Sequence, residues 1–163
     1  METETGLQPG PFDSETIWRE ALFSCLQKAQ RRICLFDRDL AGCGIETLAT
    51  AELMQKFLAE SRYNEAHWLI HDSDYFLRRC PRLIKLLETF GHGFKIKVTA
   101  PHDQRAEDCF LFADKAYSVR RFHVDQPRGV YSENPADVAV LQQKFARMWQ
   151  EATDLSGWQR LMV

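Results

Sequence analysis

Two aspartates one residue apart, Asp37 and Asp39, follow the apolar run Ile33-Cys34-Leu35-Phe36. They offer the hard oxygen ligands that a magnesium-dependent phosphoryl-transfer site needs, and one of them could also serve as a nucleophile. A second acidic group, His71-Asp72-Ser73-Asp74, closes the run Ala66 to Ile70 and would add a base and further ligands to the same rim. On this reading the candidate catalytic residues are Asp37, Asp39, His71 and Asp72, the candidate metal ligands are Asp37, Asp39 and Asp74, and the implied ion is magnesium. Each acid also has a plainer use, Asp39 in capping a turn and Asp72 to Asp74 in capping a helix. Further along, His102, Glu107, Asp108 and Asp114 surround a third apolar run, Cys109 to Ala113. Two cationic groups, Arg78-Arg79-x-x-Arg82 with Lys85 and Arg120-Arg121 with His123 and Arg128, could grip a phosphate or a nucleic-acid backbone. Such clusters are more commonly solvated faces paired with acids.

The elements that must position these residues follow from periodicity. Asp13 or Ser14 can cap a helix whose apolar face is Trp18, Leu22, Cys25, Leu26 and Ala29, and the β-branched and aromatic run ending at Asp37 reads as a buried strand. A helix is predicted from about Ile45 to Ser61, a strand over Ala66 to Ile70, and a helical pattern from Asp74 that Pro81 either kinks or reopens. Phe94 to Val98 alternates as a half-exposed strand, Cys109 to Ala113 and Tyr117 to Phe122 form a hairpin, Gly129 to Tyr131 adds a short strand, and Pro135 opens the last helix. Early alternation of strand and helix predicts parallel crossovers, and the late strands add an antiparallel part. The fold class is α/β, with a mixed, mostly parallel sheet flanked by helices. Acids at the carboxyl ends of such strands sit where open α/β sheets bind ligands.

The chain has 163 residues, 45% hydrophobic and 27% charged, with a net charge of −2. That suits one α/β domain over residues 13–163 behind a flexible arm over 1–12, where Gly6, Pro9, Gly10 and Pro11 cluster. The tail keeps Leu155, Trp158, Leu161 and Met162, which predicts packing on the body or on a partner. The charge gives no general attraction to nucleic acid or anionic lipid. An acidic start without an apolar core argues against a signal peptide, and no run nears the roughly 20 apolar residues of a membrane span, so a cytoplasmic location is expected. Five cysteines without CxxC spacing read as reduced, buried thiols rather than zinc ligands.

Two resemblances refine this. Asp37-x-Asp39 resembles the first motif of haloacid dehalogenase-type phosphatases, but Leu40-Ala41 stand where those proteins place Gly and then Thr or Val. The stretch Glu107-Asp108-Cys109-Phe110-Leu111-Phe112-Ala113-Asp114, with its hairpin and a helix ending Phe145-Ala146-Arg147-Met148-Trp149, resembles the core of a phospholipase D-type domain. That superfamily carries HxKxxxxD, in which the histidine is the nucleophile and the lysine neutralises phosphate. Laid on this chain, the histidine position is Glu107, the lysine position is Cys109, and Asp114 alone is retained.

With Phe36-Asp37-Arg38-Asp39-Leu40, His71-Asp72 and Cys80-Pro81-Arg82-Leu83, the chain resembles an uncharacterised bacterial family of phospholipase D-like domains, sometimes fused to acetyltransferase domains. The resemblance implies a half-domain without the ordinary phosphohistidine chemistry, acting as a binding or assembly module that needs no cofactor. It further implies self-association as a homodimer, because catalytic members join two halves across one groove, and association with an acetyltransferase domain. Asp37 and Asp39 then become conformational anchors. Ligand contacts would fall to Arg78, Arg79, Arg82, Arg120, Arg121, His102 and Glu107, with Asp114 the remaining catalytic candidate. Two other readings stay open: a metal-dependent phosphohydrolase or phosphotransferase using Asp37 and Asp39, and a nucleic-acid-binding module built on the arginines.

Overall fold

Residues along Arg32–Asp37 alternate between two apolar layers, and that alternation makes this strand, β2, the spine of the molecule. The computed structural model describes residues 7–155. Before β2 come the short strand β1 (Gly10–Phe12) and helix α1 (Glu15–Lys28), whose first turn is capped by the Ser14 side chain accepting from the N–H groups of Thr16 and Ile17. After it come α2 (Leu48–Glu60), β3 (Glu65–Ile70), α3 (Asp74–Arg79), α4 (Pro81–Thr89), β4 (Phe94–Val98), a 3₁₀ turn over Pro101–Arg105, β5 (Cys109–Ala113), β6 (Tyr117–His123), β7 (Gln126–Ser132), α5 (Pro135–Glu151) and β8 (Thr153–Asp154). Among the described residues no helix is long and apolar enough to cross a membrane.

The eight strands form one sheet in the order β1-β7-β6-β5-β2-β3-β4-β8. Ile33 and Leu35 face a core shared with α1 to α4, whereas Cys34 and Phe36 face a second, smaller core shared with α5. This is the mixed sheet flanked by helices that the sequence predicts, with the balance of directions corrected. Among the described residues only β2–β3 and β3–β4 run parallel, and the other five pairings are antiparallel. The added antiparallel edges, β1 and β8, span three and two residues, too short to show a period in sequence.

Two local expectations also change. The arm expected over 1–12 ends in a strand, because Phe12 pairs with Gly129 of β7 and is buried. Gly129 is required there: a Cβ would stand 1.9 Å from the Arg120 carbonyl oxygen and 2.7 Å from the Phe12 ring. Helix α2 begins at Leu48 rather than Ile45, since Gly44 takes φ +72° and Thr47 supplies the cap, leaving Ile45 buried beneath the preceding turn. Pro81 opens α4 as its first residue. Leu155 is buried in the larger core; Trp158, Leu161 and Met162 lie outside the described residues.

Candidate functional site

The end of β2 meets the start of β5, because Phe36 is paired with Phe110 and the next residues, Asp37 and Cys109, lie side by side. Asp37 is 5% exposed and its carboxylate is already engaged. Oδ2 accepts from the backbone N–H of Leu40 at 2.6 Å and of Asp39 at 3.2 Å, pinning a turn in which the buried Leu40 takes φ +72°. The Cys109 thiol, buried and hydrogen-bonded to Asp37, is pushed far above the ordinary thiol range by desolvation and by that carboxylate. Asp39 uses Oδ1 to accept from Ala41 N–H, and Arg38 extends into solvent toward Asp39 and Asp125. Both aspartates therefore shape the backbone.

At the end of β3, His71 is held at both ring nitrogens. Nε2 is 2.9 Å from the Ala106 carbonyl, which can only accept, so Nε2 carries the proton and Nδ1 accepts from the Thr99 hydroxyl at 2.6 Å. A ring so engaged has no lone pair to offer as a base. Asp72 accepts from Asp74 N–H and shapes the entry to α3, while Asp74 is the first residue of that helix and suits its positive end. A cleft of about 510 Å³ opens beside these groups, lined by Arg38, His71, Asp72, Ser73, Val98, Gln104, Thr153 and Asp154.

The residues around β5 divide between the two ends of the sheet. Glu107 and Asp108 share the Asp37 end. Glu107 accepts from His123 Nε2 at 2.9 Å, and the buried Asp108 carboxylate is neutralised by Lys144 of α5 at 2.9 and 3.0 Å and by Arg120 at 3.3 Å. Asp114 lies at the opposite end, where its carboxylate accepts from the N–H groups of Gln30, Arg31 and Arg32 at the entry to β2. Five residues of strand separate it from the Asp37 rim, roughly 16 Å at about 3.3 Å per residue. The structure therefore does not bring Asp114 together with Asp37, Asp39, His71 and Asp72.

Arg120 and Arg121, adjacent in sequence, point to opposite faces because successive strand residues alternate. Arg120 joins Asp108 on the α5 side. Arg121 is buried beneath α1, where it makes a two-pronged ion pair with Glu15 at 2.8 and 3.0 Å and donates to the carbonyls of Gln126 and Val124. Its guanidinium is consumed internally, which corrects its assignment to a ligand; the same pair lowers the pKa of the Glu15 carboxyl. Arg78, Arg79 and Arg82 are exposed, but they sit in the α1 to α4 layer, across the sheet from Arg120. The two arginine groups do not form one patch.

Asp37, Asp39 and Asp74 do not converge as a metal cage. Among the described residues the group of three potential metal ligands is His102, Asp103 and Glu151, with ligand atoms all within 4.8 Å of one another. Of these, sequence reading singled out His102 alone. Asp103 and Glu151 are 48 positions apart, on the 3₁₀ turn and the last turn of α5, and only the folded chain brings them together. The Asp108–Lys144 and Glu15–Arg121 pairs escaped notice for the same reason. The i,i+4 spacing of Arg147 and Glu151 was a visible signal that one face of α5 carries paired charges.

This arrangement, three parallel strands continued by an antiparallel group and covered by helices on both faces, is the phospholipase D-like fold. Among solved structures the chain is similar to TrmBL2, an archaeal chromatin protein with a novel mode of DNA binding, at 15% identity and a TM-score of 0.71, over 95% of this chain and 57% of that one. It is similar to Nuc, a phospholipase D family member from Salmonella typhimurium, at 13% identity and 0.58, over 92% and 97%. It is also similar to NucT from Helicobacter pylori, at 11% identity and 0.60, over 91% and 99%. The chain thus spans little more than half of TrmBL2 and nearly all of the two others. A family described as a domain of unknown function, DUF7931, matches residues 14–161, and the chain belongs to it. Curated protein sequences offer no match.

Proposed function

We propose that this chain is a non-catalytic phospholipase D-like domain that works as a binding and assembly module. The observation that carries the reading is the state of the rim where superfamily enzymes place their histidine and lysine. Glu107 there is bonded to His123, and Cys109 is a buried thiol bonded to Asp37. Neither is a nucleophile for phosphorus, and neither supplies the positive charge that would stabilise a developing phosphorane. The other titratable groups nearby are spoken for: His71 at both nitrogens, Asp37 by backbone N–H groups, Asp108 by Lys144 and Arg120. For assembly, β6 presents Phe122, 53% exposed, beside Arg120 on the sheet face that α5 covers only in part. That apolar ring is the contact through which a second copy of the chain would pair.

The test is turnover. Purified full chain is incubated with bis-(p-nitrophenyl) phosphate, phosphatidylcholine vesicles and single-stranded DNA, in magnesium, in manganese and in chelator. No release of product above the protein-free blank is expected under any condition. Metal-dependent turnover that disappears in Asp37→Asn would instead establish a phosphohydrolase built on Asp37 and Asp39. A DNA arm accompanies it, because TrmBL2 is a DNA-binding neighbour. Anisotropy of labelled duplex DNA at low salt is expected to stay flat, since the exposed arginines are divided between two faces. Saturable binding with a steep salt dependence would move the function to nucleic acid.

A further inference from the structure

Asp103 carries an unusual carboxylate. The residue is 6% exposed, Oδ1 is held by Arg147 at 3.0 Å, and Oδ2 is buried with no hydrogen-bond partner among the described residues. A buried acceptor left unpaired is unfavourable, and in native proteins such an atom ordinarily marks an ion or an ordered water. The Oδ2 atom is directed at His102 Nε2, 3.6 Å away, and that nitrogen lies 2.6 Å from Glu151 Oε1. We propose that His102 Nε2, Asp103 Oδ2 and Glu151 Oε1 form a site for a divalent transition metal of the zinc type, fastening the C-terminus of α5 to the loop between β4 and β5.

Three independent features favour a cation there. First, geometry: a tetrahedral ion with ligand bonds of about 2.0–2.1 Å sets its ligands roughly 3.3 Å apart. The separations of 2.6 and 3.6 Å from His102 Nε2 straddle that spacing, and all three ligand atoms lie within 4.8 Å of one another, so the set is drawn together by side-chain adjustment alone. Second, charge: Asp103 and Glu151 bring two negative charges, and Arg147, 3.0 Å from Asp103 and 3.6 Å from Glu151, offsets one of them. Third, the backbone: the last turn of α5 ends at Glu151 without a basic residue, so its carbonyl end favours positive charge beyond what Arg147, one turn back, provides. The donor set is one imidazole nitrogen and two carboxylate oxygens, with solvent free to take the fourth position. It suits zinc or a neighbouring transition ion better than magnesium or calcium, which take oxygen ligands. On binding, the Nε2 lone pair turns to the metal, the imidazole carries its proton on Nδ1, and the His102–Glu151 hydrogen bond is replaced by two metal bonds.

Such a clamp would act on more than α5. The loop that carries His102 and Asp103 runs from Thr99 to Ala106, the two residues that hold His71. The inference does not depend on whether the rim is catalytic.

The experiment is titration of metal-free full chain with zinc chloride by calorimetry, alongside the visible spectrum of the cobalt(II) form. One ion per chain is expected, with a cobalt spectrum lacking a thiolate charge-transfer band and a melting temperature that rises with metal. Glu151→Gln and His102→Gln alter exposed side chains, so both variants should fold. Each should weaken binding by at least the roughly 10–100-fold that outer-shell partners command. Absence of saturable binding would overturn the proposal, leaving His102 as a proton-carrying link between two acids. Binding that neither variant weakens, or a cobalt spectrum dominated by sulfur, would overturn it equally, by placing the metal elsewhere.

Discussion

A carboxylate at the end of a strand is ambiguous in sequence because the same side chain can hold a metal or a backbone. Asp37 illustrates how the structure separates the two uses: its Oδ2 accepts from backbone N–H groups two and three residues ahead. The residue they support, Leu40, is fully buried in a left-handed conformation that bulky side chains rarely adopt. Asp37→Ala should therefore lower stability by about 1.5–3 kcal/mol, the usual range for hydrogen bonds to a charged group, with Asp37→Asn losing less. Urea unfolding measures this directly. An alanine variant as stable as the parent would remove Asp37 from the role of anchor. The position of this acid was legible in the sequence, and so was its plainer use as a conformational anchor. The left-handed Leu40 that makes the anchor necessary was not, because nothing in the residue type announces it. Asp114 shows the converse, a motif residue whose spacing suited chemistry but whose contacts are three backbone N–H groups at the far end of the sheet.

Between elements, the docking of α5 turns on a stack of rings. His67 of β3 lies flat against Trp149 at a centroid distance of 4.6 Å, and Phe145, one turn earlier in α5, stacks on the same indole at 5.5 Å. Burial pushes the His67 imidazole down from 6.5 to about 4, with the nearby Arg32, Lys95 and Lys97 adding to the effect and Glu65 opposing it. A histidine held neutral in the fold stabilises it above the unfolded value. As pH falls from about 6.5 toward 4, the unfolded chain takes up a proton that the folded chain refuses, and that stability is lost. The ceiling is about 3 kcal/mol, and about 1–2 kcal/mol remains once the ring's partial exposure is allowed for. Unfolding free energies at pH 7 and pH 4.5 should accordingly fall less in His67→Phe than in the parent; parallel losses would dismiss the stack as a pH-sensitive joint. Most elements of this scale were readable from period and caps, as with Ser14 ahead of α1 and Pro81 at the start of α4. The pairings that close the sheet were not, because β1 and β8 have too few residues to carry a pattern and take their partners from distant parts of the chain.

For the whole molecule, the unequal cover of the sheet matters most. Among the described residues four helices pack on one face and α5 alone on the other, which leaves Phe122 of β6 exposed beside the half-buried Arg120. The proposed self-association should appear in light scattering as twice the chain mass at high concentration. Phe122→Asp, a change at an exposed position, should return the chain to a monomer without altering its melting temperature. A parent that stays monomeric throughout the accessible range would end the assembly half of the proposal.

The join between β2 and β5 bears on how this molecule is made. Asp114 grips backbone groups 82 to 84 residues earlier in the chain, and β3, β4 and three helices lie inside the loop that this grip closes. Pairing across so long an excursion is repaid only when both strands are in place, so it belongs late in folding. During synthesis the parallel unit emerges first. Until β5 arrives, one edge of β2 stays open at Ile33 to Phe36, a β-branched and aromatic template of the kind that invites another chain. A strand at the centre of the finished sheet is thus an open edge in the nascent chain.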